Sequence, residues 1–120
     1  MKLRSFIPLL ALCSVLGSAQ QNQETALKTS LDHFQAGEAF FAHNNYQSSA
    51  NEFRESLTID KIEPKWVEVW AHVNLGKIFD VTNQRERAIR EYRRALATKD
   101  NTRGALDEAA KYLETPFAEK

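Results

Sequence analysis

The chain has 120 residues, with 16 Lys and Arg against 16 Asp and Glu, three His and one Cys. That length suits a single domain, and the even charge balance argues against binding nucleic acid through a general basic field. With Cys13 alone, no disulfide can form within the chain.

The opening "MKLRSFIPLLALCSVLGSAQ" places Lys2 and Arg4 before an apolar run from Phe6 to about Leu16, followed by the small residues Gly17, Ser18 and Ala19. This is the pattern of a secretory signal peptide over residues 1–19, cleaved after Ala19, and the run is too short for a permanent membrane span. A retained anchor is one competing reading. Lipid attachment at Cys13 is another, but Leu12 stands where lipoprotein signals place a small residue. Cleavage would leave 14 basic against 16 acidic side chains and no cysteine. An exported domain that relies on its core rather than on disulfides points to a bacterial periplasm, with secretion as the wider class.

Residues 20–24 are polar and expected to be loose. From about Thr25, Leu27, Leu31, Phe34 and Phe41 fall on one helical stripe, with Ala36, Ala39 and Phe40 beside it. "HNN" at His43 to Asn45 interrupts the pattern. A second helix is predicted from Tyr46 to about Ile59, with Ala50, Phe53 and Leu57 in step. "DKIEP" is a linker, and Pro64 suits the first turn of a third helix reaching about Val81. After "TNQ", a fourth helix from about Gln84 to Ala97 turns Ala88, Ile89, Tyr92, Ala95 and Leu96 inward. "KDNT" supplies turn and capping residues before a fifth helix, about Arg103 to Leu113, which Pro116 prevents from continuing. No window alternates as a strand does, so the predicted fold is all-α with paired helices.

Shifting the chain by 39 residues superposes His33 on His72, Gly37 on Gly76, Phe40 on Phe79, Asn44 on Asn83, Glu52 on Glu91, Phe53 on Tyr92 and Leu57 on Leu96. Two hairpins of one design follow each other, over about residues 25–60 and 64–99. Leu75 and Gly76, then Phe79, then Ala88, Tyr92 and Ala95 resemble the tetratricopeptide repeat. The first repeat fits through Ala36, Gly37, Phe40, Tyr46 and Phe53, with Ser49 and Ser56 where that family prefers alanine. His33 and His72 replace its tryptophan, and Asp100 its closing proline. The family unit is 34 residues, so the linker carries about five extra. The resemblance implies a short α-solenoid whose last helix, about 103–114, closes the array.

Gly37 and Gly76 each cost roughly 1 kcal/mol relative to alanine inside a helix, so a close approach must compensate. The expected gain is backbone contact with the second helix, Ala88 and Ser49 being its small partners. Phe79 and Phe40 would then fill the wedge beside Tyr92 and Phe53.

In the family, the first helix of each pair lines a concave face. The resemblance therefore implies a partner-binding groove of Leu27, Leu31, Phe34, Glu38 and Phe41 with Trp66, Trp70, Val73, Lys77 and Asp80. Val69, Leu75, Ile78 and Phe79 already supply the second hairpin's core. Trp66 and Trp70 are thus available for a partner, or for packing against Leu27 and Leu31 or the terminal helix. Some family members hold a partner's C-terminal carboxylate with lysine and asparagine. Phe34 and Glu38 stand where that clamp wants a cation and an amide, so an apolar or mixed-charge peptide fits better.

Arg85, Arg87, Arg90, Arg93 and Arg94 read as a solvated outer face laced by the pairs Glu86 with Arg90 and Arg87 with Glu91. His33, His43 and His72 have no ligand partner at metal-binding spacing. No nucleophile elbow, phosphate loop or zinc motif is present, and no cofactor is expected. The sequence thus suggests a non-enzymatic interaction module of the cell envelope with a protein or peptide partner, no nucleic acid and no permanent membrane span. Its rivals are a homodimerising adaptor with its groove internally filled, since stability usually wants three repeats, and a metal-dependent hydrolase using the histidines.

Overall fold

The computed structural model describes residues 27–119, so the predicted signal peptide and the polar residues 20–24 lie outside the described residues. Among the described residues there are five α-helices and no strand: α1 Ser30–Ala42, α2 Tyr46–Thr58, α3 Trp66–Val81, α4 Arg85–Ala97 and α5 Ala105–Glu114, with a 3-10 turn at Thr102–Gly104. α1 packs on α2 and α3 on α4; α2 leans on α3, and α5 lies across α3 and α4. The result is a short helical-repeat solenoid of two hairpins and a closing helix.

Polar local contacts set the helix ends. The Thr29 hydroxyl accepts from the Asp32 N–H while Asp32 accepts from the Thr29 N–H, a reciprocal cap that starts α1 at Ser30 rather than near Thr25. Leu27 therefore precedes the helix and is 97% exposed. The buried Ser30 hydroxyl donates to the Glu63 carbonyl and accepts from the Glu63 N–H, both at 2.9 Å, tying α1 to the linker. Pro64 falls in the turn before α3, its carbonyl accepting from the Val67 N–H, so that helix begins at Trp66.

Both hairpin turns close identically. The Asn45 N–H reaches the Phe40 carbonyl and the Asn44 N–H that of Phe41; Gln84 and Asn83 repeat this with Phe79 and Asp80. Asn44 and Asn83 take φ of 58° and 60°, the left-handed conformation that asparagine tolerates better than most residues at a helix C-terminus.

The glycines admit aromatic rings rather than the facing backbone. A Cβ on Gly37 would lie 2.8 Å from Cε1 of Phe53, and one on Gly76 would penetrate the Tyr92 ring further. Ser49, expected only as a small neighbour, donates its hydroxyl to the Gly37 carbonyl at 2.6 Å, and Ser56 donates to the Phe53 carbonyl. These bonds satisfy the two buried hydroxyls.

The equivalent residues Phe79 and Phe40 have different fates, which corrects the expectation that both fill a wedge. Phe79 is buried beside Ala50 and Tyr46 of α2, with the guanidinium groups of Arg87 and Arg54 at 4.2 and 5.6 Å from its ring centre. Phe40 is 36% exposed, because among the described residues no helix precedes α1 to cover it.

Each hairpin also carries a His–Glu pair across its two helices. His33 Nδ1 lies 2.7 Å from Glu52 Oε2, and His72 Nδ1 lies 2.8 Å from Glu91 Oε2. Glu91 binds Arg94 as well, at 2.5 Å, instead of the expected Arg87, since its side chain is turned inward to His72. Burial pushes the Glu91 carboxyl up, but the hydrogen bond and charge of His72, together with Arg94, outweigh it and hold the group below the ordinary carboxylate range. A carboxyl lowered on folding stabilises the protein above its unfolded value and loses that contribution as pH falls through its folded one. Glu91→Gln is therefore expected to lower stability near neutral pH by about 1–3 kcal/mol and to flatten the acid side of the melting-temperature profile. Parallel thermal melts of variant and wild type across the acid range check both effects.

Candidate functional site

α1, α3 and the turn before α5 enclose an open pocket of about 370 Å³. It gathers Phe34, Glu38, Trp66, Trp70 and Lys77 from the predicted groove and adds Asn74 and Arg103. Phe34 and Glu38 lie one turn apart on α1, while Trp66, Trp70 and Asn74 succeed each other at four-residue steps on α3. Asn74 was detectable from that spacing.

The two indoles are each divided between the fold and the pocket. Trp66 meets Phe34 edge to face, with centroids 5.4 Å apart, and Phe34 meets Phe53 at the same distance. Trp70 Nε1 donates to the Thr102 carbonyl at 2.9 Å. Both indoles are half-buried: they pack on Phe34 and on the Thr102 carbonyl rather than on Leu27 and Leu31, and keep a side in the pocket.

Arg103 was expected to begin the fifth helix. Instead it has φ 55° and Gly104 φ 75°, so the chain turns sharply and α5 starts at Ala105. That turn lays the Arg103 guanidinium 4.7 Å from the Trp66 ring centre. No sequence period marks a residue placed by a left-handed turn. Across the pocket, restricted access to water raises the Glu38 carboxyl above its ordinary value, and the charge of Arg103 opposes this without cancelling it.

The other predicted groove residues divide. Val73 is fully buried, because α3 packs against all four other helices and keeps no open face there. Asp80 is also not a groove-lining residue: its carboxylate is only 1% exposed and accepts from the Tyr92 hydroxyl at 2.8 Å, from Arg85 at 3.0 and 3.1 Å, and from the Phe117 N–H at 2.9 Å. Leu31 lies with Ile62 and Pro64 in a separate apolar recess at the start of α1, beside the exposed Leu27. Phe41 packs against Tyr46 and Phe117, with centroids at 5.7 and 6.3 Å.

Lys77 links the open pocket to a filled end. Its ammonium lies 2.8 Å from Glu108 Oε2, an electrostatic contact without an aligned hydrogen bond, and 5.4 to 5.8 Å from the ring centres of Trp70, Tyr112 and Phe117. Beyond it the segment after α5 covers the groove, with the Phe117 ring against Tyr112 at 5.2 Å.

The arginine run is less uniform than a solvated face. Arg85 is half-buried and donates to Asp80 and to the Leu113 carbonyl, anchoring α5, whereas Arg90 and Arg93 are exposed. His33 and His72 each engage the glutamate of their own hairpin rather than each other. Among the described residues no group of three or more His, Cys, Asp or Glu is placed to hold a metal ion, and no helix is long and apolar enough to cross a membrane.

No protein-family model, curated protein or solved structure matches this chain. The site itself combines aromatic walls, a carboxylate, a guanidinium and an amide. This chemistry suits recognition of side chains.

Proposed function

We propose that this chain is a non-enzymatic interaction module of the tetratricopeptide type, exported to the bacterial cell envelope, which binds a protein or peptide in its concave face. The observation that carries the reading is the gathering of the half-buried Trp66 and Trp70 with the exposed Glu38 in one open pocket, backed by the buried Phe34. Half-buried indoles on a concave surface are the residues that dominate binding energy when a partner excludes water from them. The ring-on-glycine contacts at Gly37 and Gly76 and the matching asparagine turns support the family assignment.

Affinity capture from an envelope fraction tests the proposal, with wild type beside Trp66→Ala and Glu38→Lys. Trp66→Ala is expected to weaken capture at least about tenfold, the loss typical of a hot-spot residue. Glu38→Lys should also lose the partner while leaving the circular dichroism spectrum unchanged, because Glu38 is exposed. Undiminished capture by both folded variants would refute the reading.

The covering of the groove by Phe117 and Lys77 at one end favours a second reading, an adaptor whose groove is internally filled and which pairs with a second copy. Light scattering over a concentration series separates the two. A doubled mass favours the adaptor, and a constant monomer mass removes its dimer.

A further inference from the structure

We propose that Thr115–Glu119 is a built-in occupant of the groove, and that the partner is an extended peptide which puts an aromatic residue where Phe117 now sits. The proposal rests on the groove-binding reading above and names the partner's chemistry.

The segment leaves α5 in extended conformation, with Thr115 at φ −128° and ψ 119°, and Pro116 cannot resume a helix. Its hold on the domain centres on Phe117. The ring lies among Phe41, Tyr112 and the ammonium of Lys77, and the N–H of the same residue donates to Asp80 at 2.9 Å. Thr115, Pro116, Ala118 and Glu119 are exposed, and a cavity of about 720 Å³ lies between them and Asn44, Lys111 and Tyr112. A segment held by one ring, one amide and a terminal contact of Glu119 with the Tyr46 phenol, beside empty space, is attached as a ligand is, not packed as a core element is.

The receiving surface is rigid. Asp80 is held by Tyr92 and Arg85 whether or not the segment is present, so its remaining acceptor capacity is aimed at a backbone N–H in advance. Lys77 suits the face of an aromatic ring, and Glu119, beside the Tyr46 phenol, shows that an acidic residue is accepted two positions later. The fitting peptide is therefore extended, with an aromatic residue whose own amide is free and an acidic residue after it. Lys77 also touches Trp70, so a longer peptide could run from this end into the open pocket. The resident segment competes at an effective concentration on the order of millimolar, as a short tether does.

The test uses the full chain, wild type and Phe117→Ala, with a fluorescein-labelled peptide of residues 114–119, Glu-Thr-Pro-Phe-Ala-Glu. Fluorescence anisotropy should show the peptide binding Phe117→Ala at least about tenfold more tightly than wild type, since the tethered competitor is lost. The same peptide carrying Phe117→Ala should bind neither protein. In the wild-type chain, saturating peptide should also accelerate hydrogen exchange at the Phe117 amide, a readout that needs no variant to fold. Equal affinity for both proteins, no binding to a variant of native helicity, or unchanged Phe117 exchange at saturation would each overturn the proposal. So would a concentration-dependent dimer abolished by Phe117→Ala, which would assign the site to a second copy. If envelope capture depends on Glu38 but this peptide does not bind, the groove reading stands and the present proposal falls. Peptide binding without capture gives the reverse.

Discussion

Replacing Gly76 by alanine is expected to lower stability by about 1–3 kcal/mol, the cost of overpacking a filled interior, although alanine is the better helix former by roughly 1 kcal/mol. The added methyl would enter the Tyr92 ring, and that ring cannot simply withdraw. It is fully buried, and its hydroxyl is fixed on Asp80. For a domain of this size each kcal/mol moves the melting midpoint by about 4–8 °C. Gly37→Ala should cost less, because its methyl would meet Phe53 less deeply and the Phe53 ring has no polar anchor. Melting curves followed by circular dichroism decide the matter. An unchanged or raised midpoint for Gly76→Ala would remove the ring-on-glycine account. Adding Tyr92→Leu to Gly76→Ala should cost less than the two single effects summed, because both act on one contact.

The second large effect is expected at Asp80, which the resemblance put in the groove and the structure makes a buried junction. Asp80→Ala leaves the Tyr92 hydroxyl without its acceptor and releases both Arg85 and the Phe117 amide. Removing one partner from a buried charged network typically costs about 3–5 kcal/mol. Arg85 is 31% exposed and can recover some water, which places the expected loss towards the lower end of that range. Tyr92→Phe removes a single hydrogen bond and should cost only about 0.5–1.5 kcal/mol. Urea unfolding of the two variants beside wild type measures the difference. If Asp80→Ala were no worse than Tyr92→Phe, Asp80 would not be the junction described. Such a result would return it to the groove as a residue available to partners.

Much of the fold was legible because it is written in local chemistry. Asn44 and Asn83 terminate helices through their own backbone conformation, whereas the equally local cap of Thr29 with Asp32 sets a start for α1 that the apolar stripe alone placed near Thr25. The helical stripes and the 39-residue offset needed no knowledge of distant contacts, so five paired helices followed from them. The same offset superposed His33 on His72 and Glu52 on Glu91, but that each His meets the Glu of its own hairpin is seen only in the structure.

The candidate site was legible only in part, for a physical reason. Periodicity states which residues share a helix face, but it does not state what covers that face. Phe34, Trp66 and Trp70 share the open pocket, as their stripes suggested. Val73 and Asp80 lie on the same α3 stripe and are buried because α3 touches all four other helices. Phe40 and Phe79 are equivalent by sequence and differ because, among the described residues, only Phe79 has a neighbouring helix over it. The sequence by itself determined the helices, their turns and the repeated hairpin, all products of contacts within a few residues or one hairpin. Tertiary structure decided which groove residues remain accessible, through the left-handed turn at Arg103 and the segment after α5 that seats Phe117 on Asp80, contacts spanning up to 37 residues of chain.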